Sequence, residues 1–109
     1  MIQKALCARF GAAYQPPEDS EKVGIALQTI HLRPLNGLRH LPEGGTCGWY
    51  LWGGEELSSD ADFFQPMHVS HLEEKCPDVI PYLALPPGYR FLIHDSYEDV
   101  WEDPALRVP

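Results

Sequence analysis

The sequence predicts a single α+β domain with a small, mostly antiparallel sheet of about four strands packed with short helices. Three observations support that prediction. The chain has 109 residues, 44% of them hydrophobic, which suffices for one core and not for two. Helix-spaced apolar residues open the chain, and stretches with two-residue alternation follow them. Eleven prolines and nine glycines punctuate the rest, so every element is short.

Taken in order, residues 1 to 14 place Ile2, Ala5, Leu6, Phe10, Ala13 and Tyr14 near helical spacing, which predicts a helix of about three turns. Pro16 and Pro17 stop it, because a proline lacks the amide donor and pushes its predecessor out of the helical region. The charged stretch Glu18 to Lys22 reads as a solvated connector, so residues 1 to 22 form a helix and linker ahead of a core over 23 to 103. Val23 to Leu32 alternates as a strand, with Leu35-Asn36-Gly37 as a turn after it. Thr46 to Trp52 is the next strand, bulky on both faces through Trp49, Leu51, Tyr50 and Trp52, and therefore central or covered on both sides.

Met67 to Lys75 reads as a short helix, and Pro77 to Leu83 as a second helical piece, since proline suits a first turn. Tyr89 to His94 and Tyr97 to Glu102 alternate as strands around Asp95-Ser96, a hairpin whose acidic second strand suits a sheet edge. Residues 104 to 109 are expected to fray.

The charge is asymmetric. Residues 1 to 42 carry five Lys/Arg against three Asp/Glu, whereas residues 43 to 109 carry thirteen acids against Lys75, Arg90 and Arg107 alone. A formal net charge of -8 repels nucleic acid and anionic membrane and favours a basic protein partner. No apolar run is long enough for a membrane span and the N-terminus lacks a signal-peptide pattern, so the expected location is cytoplasmic. Cys7, Cys47 and Cys76 are too few and too scattered for a disulfide framework or a zinc site and are expected to be reduced.

Chemistry finds little to attach to. His68, His71 and Glu74 lie on one face of the predicted helix but match no zinc motif. A thiol nucleophile at Cys47 or Cys76 would need a nearby base, and the dipole at a helix end raises the Cys76 thiol. The glycines at 44, 45, 48, 53 and 54 form no phosphate-binding loop. No cofactor, metal or catalytic residue is expected. What remains is the stretch Gly48 to Pro66, where an aromatic strand runs into a loop bearing Glu55, Glu56, Asp60 and Asp62 with no basic residue between them. Trp52 at the join, together with Glu98, Asp99 and Trp101 on the last strand, completes a candidate surface of aromatic anchors in an acidic rim.

The strings LNGLRHLPEGGTCGWYLWGGEE and DADFFQPMHVSHLEEKCPDVIPYLALPPGYRFLIHDSYEDVW resemble a family of bacterial immunity proteins from polymorphic-toxin systems, formerly catalogued as a domain of unknown function. The resemblance covers about residues 35 to 103 through the GWYLW, FFQPMHV, PPGYRFLI and YEDVW strings in one order. It implies a non-enzymatic α+β protein that binds a cognate toxin and protects the producing cell, and it brings no catalytic residues. A regulatory or assembly module binding a non-toxin protein is the alternative reading. A small metal-dependent hydrolase using His68 and His71 is the third.

Overall fold

A computed structural model describes residues 2–107. Its sheet has six strands: β1 (Lys22–Ile25), β2 (Leu35–Arg39), β3 (Thr46–Gly53), β4 (Gln65–His68), β5 (Tyr89–His94) and β6 (Tyr97–Glu102). They lie in the order β4-β1-β3-β2-β5-β6. Only β1 and β3 run parallel; the other neighbours are antiparallel, so the sheet is mixed. Helix α1 (Ile2–Arg9), the single turn α2 (Leu72–Lys75) and the 3-10 segments Val69–His71 and Pro77–Tyr82 cover one face. Within that layer Leu6, Cys7, Leu72, Val79, Leu83 and Leu85 pack on Val23, Ile25, Trp49, Leu51 and Phe91.

The α+β class and the β3, β5 and β6 strands match expectation, and β3 is central. The count of about four strands is corrected to six, because β2 and β4 were hidden. Asn36-Gly37 is a turn signal in isolation, yet here it lies inside β2. The Asn36 amide donates to the carbonyls of Pro34, Trp52 and Gly54, and a Cβ at Gly37 would overlap the Phe91 ring of β5. Met67 and His68 extend along β1 as β4 instead of opening a helix, and Pro66 there suits an edge strand.

Three boundaries also move. Helix α1 ends at Arg9 rather than near Tyr14, because Gly11 at φ 67° closes it. The amide of Ala12 donates to the Cys7 carbonyl at 2.8 Å and that of Gly11 to Ala8 at 3.1 Å, the glycine-capped helix end. Strand β1 stops at Ile25, since the amides of Thr29 and Ile30 both turn back to the Ala26 carbonyl. The expected frayed tail is instead a 3-10 turn over Pro104–Arg107 with Leu106 buried; residues 108 and 109 lie outside the described residues.

Leu106 packs with Ala26, Leu38 and Trp52 in a second, smaller cluster on the opposite face, joined by Tyr50, Phe63 and Phe64. The face away from the helices is therefore covered over β3, by the acidic loop and by the C-terminal turn.

Candidate partner-binding site

Strand alternation decides which side chains this second face presents. On β3 it presents Tyr50 and Trp52, with Cys47, Trp49 and Leu51 turned to the helices. On β6, Val100 belongs to the helix-side core and Glu98 reaches Arg9 and Tyr82, so Tyr97, Asp99 and Trp101 point the other way. Register places these three against His94, Leu92 and Arg90 of β5.

The loop from Gly54 to Phe64 crosses this face and is pinned by its aromatic end. Phe64 meets Tyr50 edge-on at 5.1 Å and Trp52 at 6.2 Å, with Phe63 4.8 Å away. Short-range polar contacts shape the rest. Ser58 Oγ accepts from the Asp60 amide at 3.0 Å, Asp60 Oδ1 from the Asp62 amide at 3.1 Å, and the Asp62 carbonyl from Gln65 at 2.9 Å. Glu55, Glu56, Asp60 and Asp62 are all exposed, and none is in an ion pair within the described residues.

The eight residues singled out by sequence therefore separate. Glu55, Glu56, Asp60 and Asp62 line the exposed loop, and Asp99 and Trp101 share the face that the loop crosses. A hollow of about 670 Å³ is lined by Glu55 of the loop together with Asn36, Leu92 and Tyr97, and it reaches neither Asp99 nor Trp101. Trp52 does not belong to the surface. It is 4% exposed, because the loop that it leads into folds back over it. Glu98 is also corrected: its carboxylate is held by Arg9 at 2.6 and 3.1 Å and by the Tyr82 hydroxyl, on the helix side.

Two other apolar side chains are exposed where Trp52 is not. Leu57 on the loop is 50% exposed and Tyr97 57%. A lone leucine in a polar, acidic segment gives no signal in the sequence, since single exposed apolar side chains are ordinary on a protein surface. Trp101 is 37% exposed and has the Arg90 guanidinium 5.6 Å from its ring, while Arg90 itself pairs with Asp103 at 3.3 Å.

The Glu98 contact joins three elements, α1, the Pro77–Tyr82 segment and β6. Hydrogen bonding from Arg9, with further help from Tyr82, holds the Glu98 carboxyl below the ordinary carboxylate range despite partial burial. Burial first and Glu98 second push the Tyr82 phenol up, so it remains a donor at neutral pH. A carboxyl depressed on folding contributes stability above its unfolded pKa and loses it as pH falls through the folded one. Urea midpoints of the wild type should thus decline as pH drops below the ordinary carboxylate value, and Glu98→Gln should flatten that decline. An unchanged pH slope in the variant would remove Glu98 from the acid response.

The remaining candidates do not assemble. His68 and His71 rings lie 5.7 Å apart, but they sit on β4 and a 3-10 turn rather than one helix. No group of three or more His, Cys, Asp or Glu side chains placed to hold a metal occurs among the described residues. Cys7, Cys47 and Cys76 are free and buried, and burial pushes all three thiols up, away from the thiolate a nucleophile needs. No helix of the described residues is long and apolar enough to cross a membrane.

Across residues 2–103 the chain matches the family model described as Imm33-like domain, so the match reaches back through α1 and the connector that the sequence resemblance left out. No curated protein and no solved structure matches the chain.

Proposed function

The chain belongs to the Imm33-like domain family, an immunity-protein family whose name associates it with polymorphic-toxin systems, and from that premise we propose that it binds and neutralises a cognate bacterial toxin through the sheet face crossed by its acidic loop. The observation that supports this reading is the exposure of Leu57, Glu55, Glu56, Asp60 and Asp62 on the loop, together with that of Tyr97, Asp99 and Trp101 on the open side of β6. Apolar side chains supply contact area that can be desolvated, and unpaired carboxylates steer a basic target and reject wrong ones. The action in this reading is coverage rather than chemistry, which the burial of all three thiols supports. Such a protein works in the cytoplasm of the producing bacterium.

The test is a pull-down with the toxin encoded beside this chain, together with survival of cells expressing both. Capture at micromolar concentration and protection are expected; failure of both overturns the reading. Glu55→Lys with Glu56→Lys should slow association about tenfold at low salt and weaken its dependence on ionic strength. Association kinetics unchanged at every salt concentration would show that this loop does not steer.

A further inference from the structure

The two edges of the sheet are unlike. At one end β4 is four residues long and contains Pro66, which has no amide to offer an incoming strand. At the other end β6 is six residues long with no proline, and among the described residues it pairs only with β5. The β5–β6 connection is the two residues Asp95 and Ser96, with Asp95 at φ 51°. A two-residue hairpin loop is closed by a pair that exchanges both hydrogen bonds, and such pairs alternate along the ladder. His94 with Tyr97, Leu92 with Asp99 and Arg90 with Trp101 are then the bonded pairs. The peptide groups of Glu98, Val100 and Glu102 consequently face outward from the edge.

That edge is poorly matched to itself. Antiparallel self-pairing that sets Val100 against Val100 puts Glu98 opposite Glu102. Shifting by one repeat sets Asp99 against Asp99, and shifting the other way sets Asp99 against Asp103. Like charges directly opposite destabilise a strand pair. The two flanks of β6 also differ in charge balance. Glu98 and Glu102 on the helix side are paired with Arg9 and Arg107, whereas Asp99 on the open side has no ion pair within the described residues and stands between exposed Tyr97 and Trp101.

We propose that β6 is a docking edge that accepts an extended segment of the toxin as a seventh strand, with a lysine or arginine of that segment placed at Asp99 between Tyr97 and Trp101. The inference rests on the toxin-binding reading above and names the contact that does the holding. Main-chain bonds to Glu98, Val100 and Glu102 give affinity, and the side chain at Asp99 gives selection by charge and by stacking on the flanking rings. A second copy of this chain paired in the shifted register sets two unpaired Asp99 carboxylates against each other, and on β4 Pro66 offers no amide.

Amide exchange resolved by residue, in the wild-type chain alone and saturated with the toxin encoded beside it, tests the proposal. The amides of Glu98, Val100 and Glu102 should slow by about tenfold or more on binding. Val100→Pro removes the central outward donor and Asp99→Lys reverses the selecting charge; each should weaken toxin binding by about tenfold or more. Circular dichroism and thermal unfolding establish that each variant is folded, and the wild-type exchange result decides if the proline variant is not. Toxin binding with all three amides exchanging at their free rates overturns the edge proposal alone, as does self-association through β6. Absence of toxin binding by the wild type overturns both readings.

Discussion

Replacing Arg39 by methionine should lower the urea midpoint by about 1.5–2.5 M, equivalent to about 3–5 kcal/mol at a denaturant sensitivity of about 2 kcal/mol per molar. Arg39 is 4% exposed and has no carboxylate at ion-pair distance within the described residues. Its partners are backbone carbonyls: Cys47 at 2.9 Å from Nε, and Gln15 and Leu85 at 2.7 Å and Leu83 at 3.3 Å from Nη1. The guanidinium also lies 5.8 Å from the Trp49 ring centroid. One side chain thus ties the connector after α1 and the segment after Pro77–Tyr82 to β3.

Methionine keeps most of the length and none of the donors. Leu83 would retain the bond from Trp49 Nε1 at 2.8 Å and the carbonyl of exposed Gln15 can turn to water, but the Cys47 and Leu85 carbonyls would lose their contacts in a dry interior. Each such orphan costs about 1–3 kcal/mol, a large part of the 5–15 kcal/mol typical of a domain. Arg39→Lys keeps the charge but replaces a planar fork by a point, so it should recover less than half of the loss. A methionine variant within about 0.5 kcal/mol of wild type would show that water reaches these carbonyls.

Arg39 illustrates where sequence reading stops. In the chain it is one of five basic residues before position 43, with nothing to mark it. Its burial depends on carbonyls from residues 15, 47, 83 and 85, which come together only in the fold. Strand β2 was hidden for the same reason, since Gly37 is required by Phe91, a residue far along the chain. The β5–β6 hairpin, by contrast, is specified locally by alternation and a tight turn, and its boundaries were legible to the residue.

The candidate face was legible by composition and not by direction. A carboxylate-rich loop without a cation shows in the sequence, and its exposure follows. Neighbouring Glu98 and Asp99 had to lie on opposite faces of β6, but only packing against α1 and Tyr82 determines which is the open one. On β3 both faces are bulky, so alternation could not tell that the Trp52 ring would be covered by its own loop.

The second large effect is expected at Gly48, inside the GWYLW string. Gly48 has φ 97°, a region that an alanine enters at a cost of about 1–3 kcal/mol. A Cβ there would also overlap the carbonyl of His40, whose amide donates to the Gly48 carbonyl at 2.9 Å. The neighbouring backbone has little freedom to retreat, because β2 is bonded to β3 on one side and β5 on the other. The parallel ladder slips at this point, with Lys22 opposite Thr46 and Gly24 already opposite Tyr50, so β3 bulges where Gly48 sits. Gly48→Ala should therefore cost about 3 kcal/mol or more, read as a lower thermal midpoint. Gly45→Ala supplies the comparison: its φ is 85°, yet nothing lies within 4 Å of an added Cβ, so it should show only the backbone cost. Equal losses at the two positions would mean that His40 moves aside and the bulge is adaptable. Unequal losses would make Gly48 the point that fixes the register of Tyr50 and Trp52, and with it the seat on which Phe63 and Phe64 hold the acidic loop. Limited proteolysis within residues 54 to 64 should then accelerate in the Gly48 variant and not in the Gly45 variant.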